Sequence, residues 1–422
     1  MSILLYNLFL LLYRTALSLV ARFNPKARLW KEGRLDWENR LSAAMAGKTG
    51  PLIWMHCASL GEFEQGRPII EIIRQKHPNH RIMVSFFSPS GYEIRKNYSG
   101  ADYVCYLPLD GARAARKFIE ISSPSLVIWI KYEFWYHYLT RLQAAGIPVV
   151  LVSGLFRPGQ PFFRWYGRLH RHMLTCFSQL FVQNQASLEL LEKTGIKNVT
   201  ITGDTRYDRV SAIADSFSPI ESIEDFTAGY KVVVAGSTWP EDEEELDHFT
   251  NTNPQYRFII APHETSEVHV KEMEKLFHPS IRFSEWEKSR KEKTSPQNTN
   301  HIMIIDNIGM LSRLYRYADI AYIGGGFGGD GLHNILEAAV YGIPVIHGPN
   351  FERFPEAIEL MDAGGSFAVN TALELENKLN DLLMQDNAYH LACRAAKEFV
   401  RDRRGATEKI IHYMEENRLL TS

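Results

Sequence analysis

A carboxylate at the start of a predicted helix is the first candidate for chemistry in this sequence. Glu62 ends the segment Ser59-Leu60-Gly61-Glu62, which follows an apolar, strand-like run at 52–56. The positive end of a helix favours the ionised form of a carboxylate, so we expect Glu62 to stay charged and ready to accept a proton. Such a group suits a general base that deprotonates a hydroxyl. A carboxylate that only caps its helix explains the same residues.

Two charged residues follow another apolar run, at 125–130. They are Lys131 and Glu133 in the segment Lys131-Tyr132-Glu133-Phe134-Trp135. Parallel α/β proteins gather functional groups at the carboxyl ends of their strands. Lys131 could therefore balance a phosphate or a carboxylate, and Glu133 could orient an acceptor. A surface salt bridge accounts for the pair equally well.

The strongest local signal is the glycine-rich segment 322–348, YIGGGFGGDGLHNILEAAVYGIPVIHG. A predicted strand runs into glycines that include Gly326, Gly328 and Gly329, and a predicted helix follows. Glycines let the backbone approach a ligand closely, and free N–H groups at the start of a helix attract a phosphate. The segment therefore predicts a binding site for a phosphate-bearing ligand.

Three polar residues stand near the start of that predicted helix. His333, Asn334 and Glu337 are spaced to share one helix face, where Glu337 could accept hydrogen bonds from a ribose diol. Gly324, Gly326 and Gly329 also satisfy the G-x-G-x-x-G fingerprint of dinucleotide-binding proteins. That fingerprint needs an acidic residue at the end of the next strand, but this strand ends in His347-Gly348-Pro349-Asn350. A nucleotide-sugar site is therefore favoured over a dinucleotide site.

Short polar segments follow other predicted strands in both halves of the chain. They contain Asp204 and Arg206 in the first half, and Ser237, Thr238 and His263 in the second. The backbone N–H groups around Ser237 are a further place where a phosphate could be held. The histidines lack the close spacing of a metal-binding cluster, so no metal site is predicted.

Two series of apolar runs, separated by helical stretches, must position these residues. The first series is 52–56, 81–86, 125–130, 147–152, 179–184 and 199–203; the second is 231–236, 256–262, 301–306, 319–324 and 343–348. Strands that alternate with helices predict parallel sheets covered on both faces. We therefore expect two doubly wound, Rossmann-like α/β domains with the active site in the cleft between them.

The apolar pattern also suggests domain boundaries. The predicted divisions are a membrane anchor at 1–22, a first domain at 23–215, a hinge at 216–229, a second domain at 230–400, and a C-terminal helix at 401–422 that packs back on the first domain. The hinge is placed where apolar periodicity fades into Ser, Asp and Glu. The segment 288–300 has no apolar period and is predicted to be an exposed loop.

The N-terminal segment from Ile3 to Ala21 is almost wholly apolar, interrupted chiefly by Asn7 and Arg14. As a helix it would reach roughly 28 Å, close to the thickness of the hydrocarbon core of a bilayer. The basic residues that follow suit the cytoplasmic side, beside anionic lipid. A buried core helix is the alternative. We favour a membrane anchor, which either spans the bilayer or lies in its interface because Arg14 disfavours a central position.

Composition excludes several classes of protein. The chain has 422 residues and a formal net charge of −2, which gives no indication of nucleic-acid binding. Its 45% hydrophobic and 23% charged residues are ordinary for a folded protein. The four cysteines form no C-x-x-C pair, so neither a disulfide framework nor a zinc site is predicted, and a reducing cytoplasm fits best.

Together the motifs resemble the Kdo transferases, the bacterial enzymes that place 3-deoxy-D-manno-oct-2-ulosonic acid (Kdo) on lipid A precursors. The matching segments are Ser59 to Glu62, Gly203 to Arg209, Ala235 to Trp239, Gly329 to Glu337 and Gly348-Pro349-Asn350. They occur in the order of the family and are spread over nearly the whole chain. The set is specific, whereas no single segment is.

The resemblance implies a GT-B glycosyltransferase fold, CMP-Kdo as the donor substrate, a lipid A precursor of the lipid IVA type as the acceptor, and inversion at the anomeric carbon. It also implies that no catalytic metal or other cofactor is used, and that the protein acts at the cytoplasmic face of the inner membrane. By this resemblance Glu62 is the general base. The CMP moiety would be held by Ser237, Thr238, Asn334 and Glu337. Lys131, Arg206 and Arg157 would supply positive charge for the leaving phosphate and the sugar carboxylate.

Two positions depart from the family pattern. Lys131 stands where the family usually has the first carboxylate of a Glu-x-Glu-Leu-Trp-Pro run, and His263 follows Pro262 directly where the family commonly has Pro-Arg-His. The phosphate contact of that missing arginine would then fall to Lys131 or to backbone N–H groups. The alternatives left open are a GT-B transferase that uses a UDP-sugar on a lipid acceptor, a related sugar-nucleotide epimerase, and a non-catalytic membrane-bound nucleotide-sugar-binding protein.

Overall fold

The computed structural model describes residues 2–292, 300–329 and 331–421 and divides the chain into two units. Unit 1 comprises Met1–Arg209 with Arg404–Ser422, and unit 2 comprises Val210–Arg403. The strands are β1 Leu52–Cys57, β2 Arg81–Phe86, β3 Tyr103–Tyr106, β4 Leu126–Ile130, β5 Val149–Gly154, β6 Gln179–Val182, β7 Val199–Ile201, β8 Val232–Thr238, β9 Arg257–Pro262, β10 Ser280–Arg282, β11 Ile302–Ile304, β12 Ile320–Ile323, β13 Val345–His347 and β14 Ser366–Ala368.

Helices separate the strands along both units. They are α1 Ile3–Val20, α2 Pro25–Glu32, α3 Trp37–Met45, α4 Leu60–Lys76, α5 Pro89–Arg95, α6 Ala112–Ser122, α7 Tyr136–Ala144, α8 Arg168–Leu174, α9 Gln185–Glu192, α10 Thr205–Asp215, α11 Glu221–Thr227, α12 Pro240–Thr252, α13 Glu267–Leu276, α14 Phe283–Lys291, α15 Leu311–Leu314, α16 Leu336–Ala339, α17 Pro355–Asp362, α18 Ala372–Met384, α19 Asp386–Arg401 and α20 Ala406–Glu416. Short 3₁₀ turns lie at Pro161–Phe163 and Tyr315–Tyr317.

The sheet of unit 1 has seven strands in the order β3-β2-β1-β4-β5-β6-β7. Each neighbouring pair is parallel. Strands β1 and β4 are buried along their whole length, as expected when helices cover both faces of a sheet. The strand order reverses between β1 and β4, and the loops that leave these two strands therefore open a crevice at their carboxyl ends.

The sheet of unit 2 also has seven strands, in the order β10-β11-β9-β8-β12-β13-β14. Its neighbouring strands are parallel as well. The strand order reverses between β8 and β12, and a crevice is expected at the carboxyl ends of these strands. The prediction of two doubly wound parallel α/β domains is confirmed.

The C-terminal helix α20 belongs to unit 1. Its residues Ile410, Ile411 and Met414 are buried in the same apolar cluster as Ile69 and Ile73 of α4. Two backbone N–H groups at its start, those of Gly405 and Thr407, each donate a 2.6 Å hydrogen bond to the carboxylate of Asp208. This helix therefore covers one face of the first sheet.

The division between the units differs in position from the predicted hinge. The units meet in sequence at 209/210 and 403/404, whereas the hinge was placed at 216–229. That stretch contains α11, whose residues Ile223 and Phe226 are buried within unit 2. Phe226 packs edge-on against Trp286 of α14. The acidic residues that suggested a linker, Glu221, Glu224 and Asp225, lie on the exposed side of this small packed helix.

Part of the predicted loop 288–300 is helical. Residues 288–291 form the last turn of α14, where Arg290 Nε lies 2.6 Å from Asp225 Oδ2. Residues 293–299 of the predicted loop lie outside the described residues. The absence of an apolar period reflects the exposed position of this helix end.

Helix α1 is long and apolar enough to cross a membrane, but only 11% of it is buried. It contacts the rest of unit 1 through one narrow stripe. The Tyr6 hydroxyl donates a 2.6 Å hydrogen bond to Asp110 Oδ2, and Asn7 Oδ1 lies 2.8 Å from His137 Nε2. Most of its other apolar side chains are exposed, including Leu4, Leu8, Leu11 and Leu12. The arrangement does not fit a buried core helix.

Candidate functional site

Glu62 lies at the carboxyl edge of the first sheet, in the crevice formed by β1 and β4. It is the third residue of α4, whose N-cap is Ser59. Its side chain turns back, and Oε2 accepts a 2.5 Å hydrogen bond from the backbone N–H of Ala58. The backbone N–H of Tyr132, in the loop after β4, also bonds to the carboxylate. Glu62 thus connects the chain just before α4 to the loop after β4, which carries Lys131 and Glu133.

The environment of Glu62 changes its proton affinity. Burial raises the pKa of Glu62 to about 7, although the Ala58 N–H opposes this change. The nearby charge of Glu133 raises the pKa further, and Lys131 lowers it. The prediction that the helix start keeps Glu62 fully ionised is therefore wrong, because loss of solvent outweighs the helix dipole. A pKa close to neutral suits a group that accepts a proton in one step and releases it in another.

Lys131 occupies an unusual backbone conformation directly after β4. Its φ is 55°, in the left-handed region, and its N–H donates a 3.1 Å hydrogen bond to the carbonyl of Val152. Non-glycine residues adopt this region rarely, often where the chain must turn sharply. The turn brings Tyr132 and Glu133 back toward β1. Lys131 and Glu133 therefore lie close enough to Glu62 for their charges to act on its carboxylate.

Glu133 is held by two neighbours. Its Oε2 atom lies 3.3 Å from His56 Nε2 and accepts a 3.1 Å hydrogen bond from the indole N–H of Trp135. The Trp129 indole donates to its backbone carbonyl at 2.5 Å. These contacts fix the carboxylate, which remains about one quarter exposed. Glu133 is therefore a positioned carboxylate with a face left open to solvent.

His56 is a member of this site that sequence reasoning missed. It lies inside β1, is fully buried, and its Nδ1 atom is 2.9 Å from Ser85 Oγ. Ser85 Oγ also accepts a 2.8 Å hydrogen bond from the Trp54 indole. All partners are satisfied when Ser85 donates to Nδ1 and the Nε2–H of His56 donates to Glu133. The sequence could have indicated His56, because it is a polar residue inside an otherwise apolar predicted strand.

Asp204 and Arg206 form an ion pair in the segment that begins α10. Asp204 is 5% exposed, and its Oδ2 atom accepts a 2.8 Å hydrogen bond from Arg206 Nε. Its Oδ1 atom accepts a 3.1 Å bond from Gln65 of α4. Burial acts to raise the pKa of Asp204, but the charges of Arg206 and Lys131 hold it below its ordinary value. Asp204 therefore links the start of α10 to α4, the helix that carries Glu62, and lies within range of the Lys131 charge.

Arg157 and Gly61 are the remaining residues of unit 1 that the sequence predicted to belong to the site. Arg157 follows β5, and its side chain is exposed. Its backbone N–H donates a 3.1 Å hydrogen bond to Gln160 Oε1. Gly61 has open space where a side chain would begin. The structure thus joins Ser59, Glu62, Lys131, Glu133, Asp204 and Arg206 in one region, whereas Arg157 lies in a separate surface loop.

In unit 2 the glycine-rich loop leaves β12 next to the end of β8. A side chain at Gly324 would begin 2.3 Å from the carbonyl oxygen of Ser237, and one at Gly326 would begin 2.6 Å from the backbone nitrogen of Gly348. These two glycines are therefore required by the close approach of neighbouring backbone. Gly329 has open space at that position, and Gly328 has only the end of the Glu241 side chain nearby. Gly328 and Gly329 are the glycines that leave room for a ligand.

The helix that follows the glycines is much shorter than predicted. Helix α16 has four residues, so His333 and Asn334 precede it and do not share a helix face with Glu337. The predicted shared helix face is therefore not observed, and a helix of four residues aligns few peptide dipoles toward a phosphate. Asn334 Nδ2 nevertheless donates a 3.1 Å hydrogen bond to Glu337 Oε1. The two residues remain adjacent through this contact.

Three rings are stacked beside the loop. The rings of Trp239 and His263 are 4.6 Å apart and nearly parallel, at 23°. His263 and His333 are also 4.6 Å apart. The Trp239 indole donates a 3.3 Å hydrogen bond to His333 Nε2, so the proton of neutral His333 lies on Nδ1. The structure thus brings together His263 and His333, which are 70 residues apart in the sequence.

Thr238 donates its hydroxyl within the protein. Its Oγ1 atom donates a 2.8 Å hydrogen bond to Glu243 Oε1, which is also 3.2 Å from His269 Nε2. Its neighbour Ser237 has a left-handed φ of 55°. Ser237 therefore forms the sharp turn at the end of β8, and Thr238 anchors that turn to α12.

Asp242 is a second residue that sequence reasoning missed. It is fully buried at the start of α12. Oδ1 accepts a 2.7 Å hydrogen bond from the Tyr322 hydroxyl, and Oδ2 accepts bonds from the backbone N–H groups of Gly325 at 2.7 Å and Trp239 at 3.0 Å. One carboxylate thus fixes both the glycine-rich loop and the turn after β8. The sequence could have indicated Asp242, because an acidic residue three positions after a helix N-cap often accepts a hydrogen bond from the backbone.

No group of three or more histidine, cysteine, aspartate or glutamate side chains could hold a metal ion within residues 2–292, 300–329 and 331–421. The polar groups described above are instead arranged as hydrogen-bonding pairs and small networks.

Solved structures define the class of protein. The chain is similar to UDP-GlcNAc 2-epimerase from Neisseria meningitidis, with a TM-score of 0.60 and 14% identity over 86% of this chain and 100% of that one. It is also similar to a glycosyltransferase from Rickettsia africae, with a TM-score of 0.55 and 14% identity over 89% of this chain and 100% of that one. At such identity the likeness concerns the fold alone. The fold is that of the GT-B glycosyltransferases.

Sequence relatives narrow the class. Residues 35–209 match the family described as 3-Deoxy-D-manno-octulosonic-acid transferase (kdotransferase). The 3-deoxy-D-manno-octulosonic acid transferase of Aquifex aeolicus is 28% identical over 78% of this chain and 86% of its own length. The enzyme of the same name from Haemophilus influenzae is 26% identical over 86% of this chain and 88% of its own. The predicted resemblance to the Kdo transferases is thereby confirmed, and the protein is a glycosyltransferase.

Proposed function

We propose that this protein transfers Kdo from CMP-Kdo to a lipid A precursor of the lipid IVA type, with inversion at the anomeric carbon. The observation that carries the proposal is the match to Kdo transferases over most of the chain, together with an almost buried carboxylate in the β1/β4 crevice. The donor and the acceptor are both substrates. No other cofactor is part of the proposal.

Unit 1 would supply the base. The Glu62 carboxylate takes the proton from the acceptor hydroxyl as that oxygen bonds to the anomeric carbon, and the bond from that carbon to the CMP phosphate breaks. A pKa of about 7 leaves Glu62 partly ionised at neutral pH. Inversion follows because the hydroxyl attacks the face opposite to the leaving phosphate. Lys131 and Arg206 would offset negative charge on the sugar carboxylate and the phosphate.

Unit 2 would hold the CMP moiety. Gly328 and Gly329 leave backbone accessible to a phosphate, and Glu337, supported by Asn334, offers a carboxylate to the ribose hydroxyls. The ring stack of Trp239, His263 and His333 provides a rigid wall beside this loop. The imidazole N–H groups of this stack would take over the phosphate contact of the arginine that the family commonly has before His263.

The acceptor is a lipid, and the protein would act at the cytoplasmic face of the inner membrane. Helix α1 has the length and composition of an anchor, and its exposed leucines would contact the acyl chains of the membrane. The basic residues after α1 would lie near anionic head groups. Membrane lipids would thus be partners of the protein alongside CMP-Kdo and the lipid A precursor.

The test is a transfer assay with the purified full-length protein in neutral detergent. CMP-Kdo and a set of UDP-sugars are offered separately over a lipid A precursor, and the product is identified by mass spectrometry. We expect Kdo transfer from CMP-Kdo alone. Transfer from a UDP-sugar would favour the alternative of a GT-B transferase that uses a UDP-sugar on a lipid acceptor. Binding of CMP-Kdo without turnover would favour a non-catalytic binding protein.

A further inference from the structure

A cavity of about 620 Å³ lies in unit 1 between α1, the segment 30–38 and the segment 108–114. This volume is within the range of ligand sites in proteins, roughly 300–1,000 Å³. The described residues that line it do not include Glu62, Lys131 or Glu133. The cavity is therefore separate from the residues to which we assign the reaction.

The walls of the cavity are mainly apolar. They include Leu10 and Leu11 of α1, Trp30 and Leu35 of the following segment, and Leu109 of the loop after β3. Leu11 is 61% exposed and so belongs both to the cavity and to the outer apolar surface of α1. The mouth of the cavity therefore opens beside the surface that would face the membrane.

Three cationic side chains also line this cavity. They are Arg14 of α1, Lys31 of α2 and Arg113 of α6. Among the described residues none of the three forms an ion pair with a carboxylate. The acidic residues of the cavity are already engaged, because Asp110 accepts hydrogen bonds from Tyr6 and from the backbone of His137 and Tyr138, and Glu38 pairs with Lys117. The cavity therefore carries an excess of positive charge.

A fourth cation, Arg34, is built into the wall. Its guanidinium donates to the backbone carbonyls of Leu107 at 2.8 Å, Trp30 at 2.9 Å and Phe87 at 2.7 Å. It also lies 3.9 Å from the centre of the Trp30 ring. Carbonyl groups satisfy its N–H donors but do not neutralise its charge. Burial lowers the pKa of Arg34 to about 9, as expected for a cation with little solvent.

We propose that this cavity binds one anionic phospholipid of the surrounding bilayer, with one acyl chain against Leu10, Trp30 and Leu109 and its phosphate at Arg14, Lys31 and Arg113. The apolar walls match a hydrocarbon chain, and the cations match a phosphate. Arg14, which is costly in an apolar helix, then pairs with a head group. The bound lipid would fix α1 against unit 1 and hold the protein at the membrane surface.

Native mass spectrometry of the full-length protein in neutral detergent tests the proposal. The probes are 1-palmitoyl-2-oleoyl phosphatidylglycerol and the phosphatidylcholine with the same chains. We expect one phosphatidylglycerol to be retained per protein and phosphatidylcholine to bind at least tenfold more weakly. The variant R14Q/K31Q/R113Q should lose this preference. The matched control K48Q/K193Q/K197Q removes three positive charges elsewhere in unit 1 and should keep it.

A second variant tests the acyl-chain position and does not depend on the charges. Ala114 lines the cavity and is half-buried, so Ala114→Trp should fill the space and lower retention at least tenfold. Both variants should transfer Kdo in detergent at the wild-type rate. Equal binding of the two lipids, or unchanged retention in A114W, would overturn the proposal. Displacement of phosphatidylglycerol by an equimolar lipid A precursor would assign the cavity to the acceptor instead.

Discussion

The Nε2 atom of His56 lies 3.3 Å from Oε2 of Glu133, so a histidine inside β1 orients a carboxylate that follows β4. The charge of that carboxylate acts on Glu62 in turn. Glu133 raises the pKa of Glu62, and Lys131, two residues earlier, lowers it. The two charges in the loop after β4 therefore act in opposite directions on the carboxylate to which we assign the base role.

This opposition predicts the pH dependence of the reaction. A base works only when ionised, so kcat/KM should rise with pH, with a midpoint near 7, and level off above it. Glu133→Gln removes a negative charge and should move the midpoint to lower pH. Lys131→Gln removes a positive charge and should move it to higher pH. Steady-state rates between pH 5 and 9 measure all three profiles.

The two loop variants control each other, because each changes one charge in the same loop. Movement of both midpoints in the same direction would mean that the variants act through a general disturbance of the loop. A wild-type profile without an inflection near 7 would remove Glu62, with its pKa of about 7, from the rate-determining proton transfer.

Glu62→Gln should abolish most of the transfer while leaving the fold and the affinity for CMP unchanged. Loss of a general base typically lowers a rate by about 10²–10⁴. The glutamine can still accept the hydrogen bond from the Ala58 N–H, so the chain that enters α4 keeps this contact. Glu64→Gln is the matched control, since Glu64 lies on the same helix with its carboxylate at Arg95 and Arg209. Turnover of E62Q within a few-fold of wild type would show that another group accepts the proton.

The long apolar runs made most of the fold predictable from sequence. Strands β1, β2 and β4 consist of five or six mostly buried residues, so their composition alone identified them. Strands β3, β10 and β14 were missed; each is a short edge strand in which only one residue is buried. Edge strands are covered less completely than central ones, and their composition therefore resembles that of loops.

The chemistry of the site was less predictable, because it depends on contacts between distant segments. Position alone suggested that Glu62 is ionised, and only its burial shows that its pKa is near 7. Asp242 stands in the acidic run 241–245, where composition suggests an exposed helix start. Its three hydrogen bonds to Tyr322, Gly325 and Trp239 depend on the pairing of β8 with β12.

Asp242→Asn should weaken the binding of CMP, although Asp242 lies beneath the loop and is not assigned a contact with the ligand. An asparagine offers one acceptor oxygen where the carboxylate offers two. Its NH2 group therefore replaces the acceptor of the Tyr322 hydroxyl or that of the two N–H groups, and the bonds that remain lose the negative charge that strengthens them. Such a change costs about 1–3 kcal/mol, which corresponds to roughly a 5- to 150-fold increase in the Kd of CMP. Isothermal titration calorimetry measures this Kd. Glu244→Gln, an exposed change on the same helix, should leave it unaltered.

Glu337→Ala tests the ribose assignment. The carboxylate is positioned by Asn334 at 3.1 Å, and its removal should weaken CMP binding more than acceptor binding. Hydrogen bonds to a charged group contribute about 1.5–3 kcal/mol, so the Kd of CMP should rise roughly 10- to 100-fold. Glu272→Ala, on the exposed surface of α13, is the control. If calorimetry finds the same CMP affinity in E337A as in wild type, Glu337 does not bind the ribose.

The anchor role of α1 can be separated from its packing role, because different faces of the helix carry them. Tyr6 and Asn7 contact Asp110 and His137, whereas Leu4, Leu8 and Leu12 are 77%, 50% and 61% exposed. The variant L4S/L8S/L12S should therefore release the protein from membranes and keep the melting temperature and the activity on a detergent-solubilised acceptor. Burial of one leucine side chain in an apolar phase contributes about 1.5–3 kcal/mol. Three changes to serine are therefore sufficient to shift the protein from the membrane to the aqueous phase.

Deletion of residues 1–22 should release the protein as well, but at a cost in stability, because the buried carboxylate of Asp110 then loses the Tyr6 hydroxyl. Membrane flotation measures the release, and differential scanning fluorimetry measures the melting temperature. The serine variant and the deletion should thus agree in flotation and differ in melting temperature. If the serine variant stays fully membrane-bound, the membrane contact lies elsewhere in unit 1. The aromatic and basic segment 156–171, where Trp165 is 91% exposed, would then be the surface to change next.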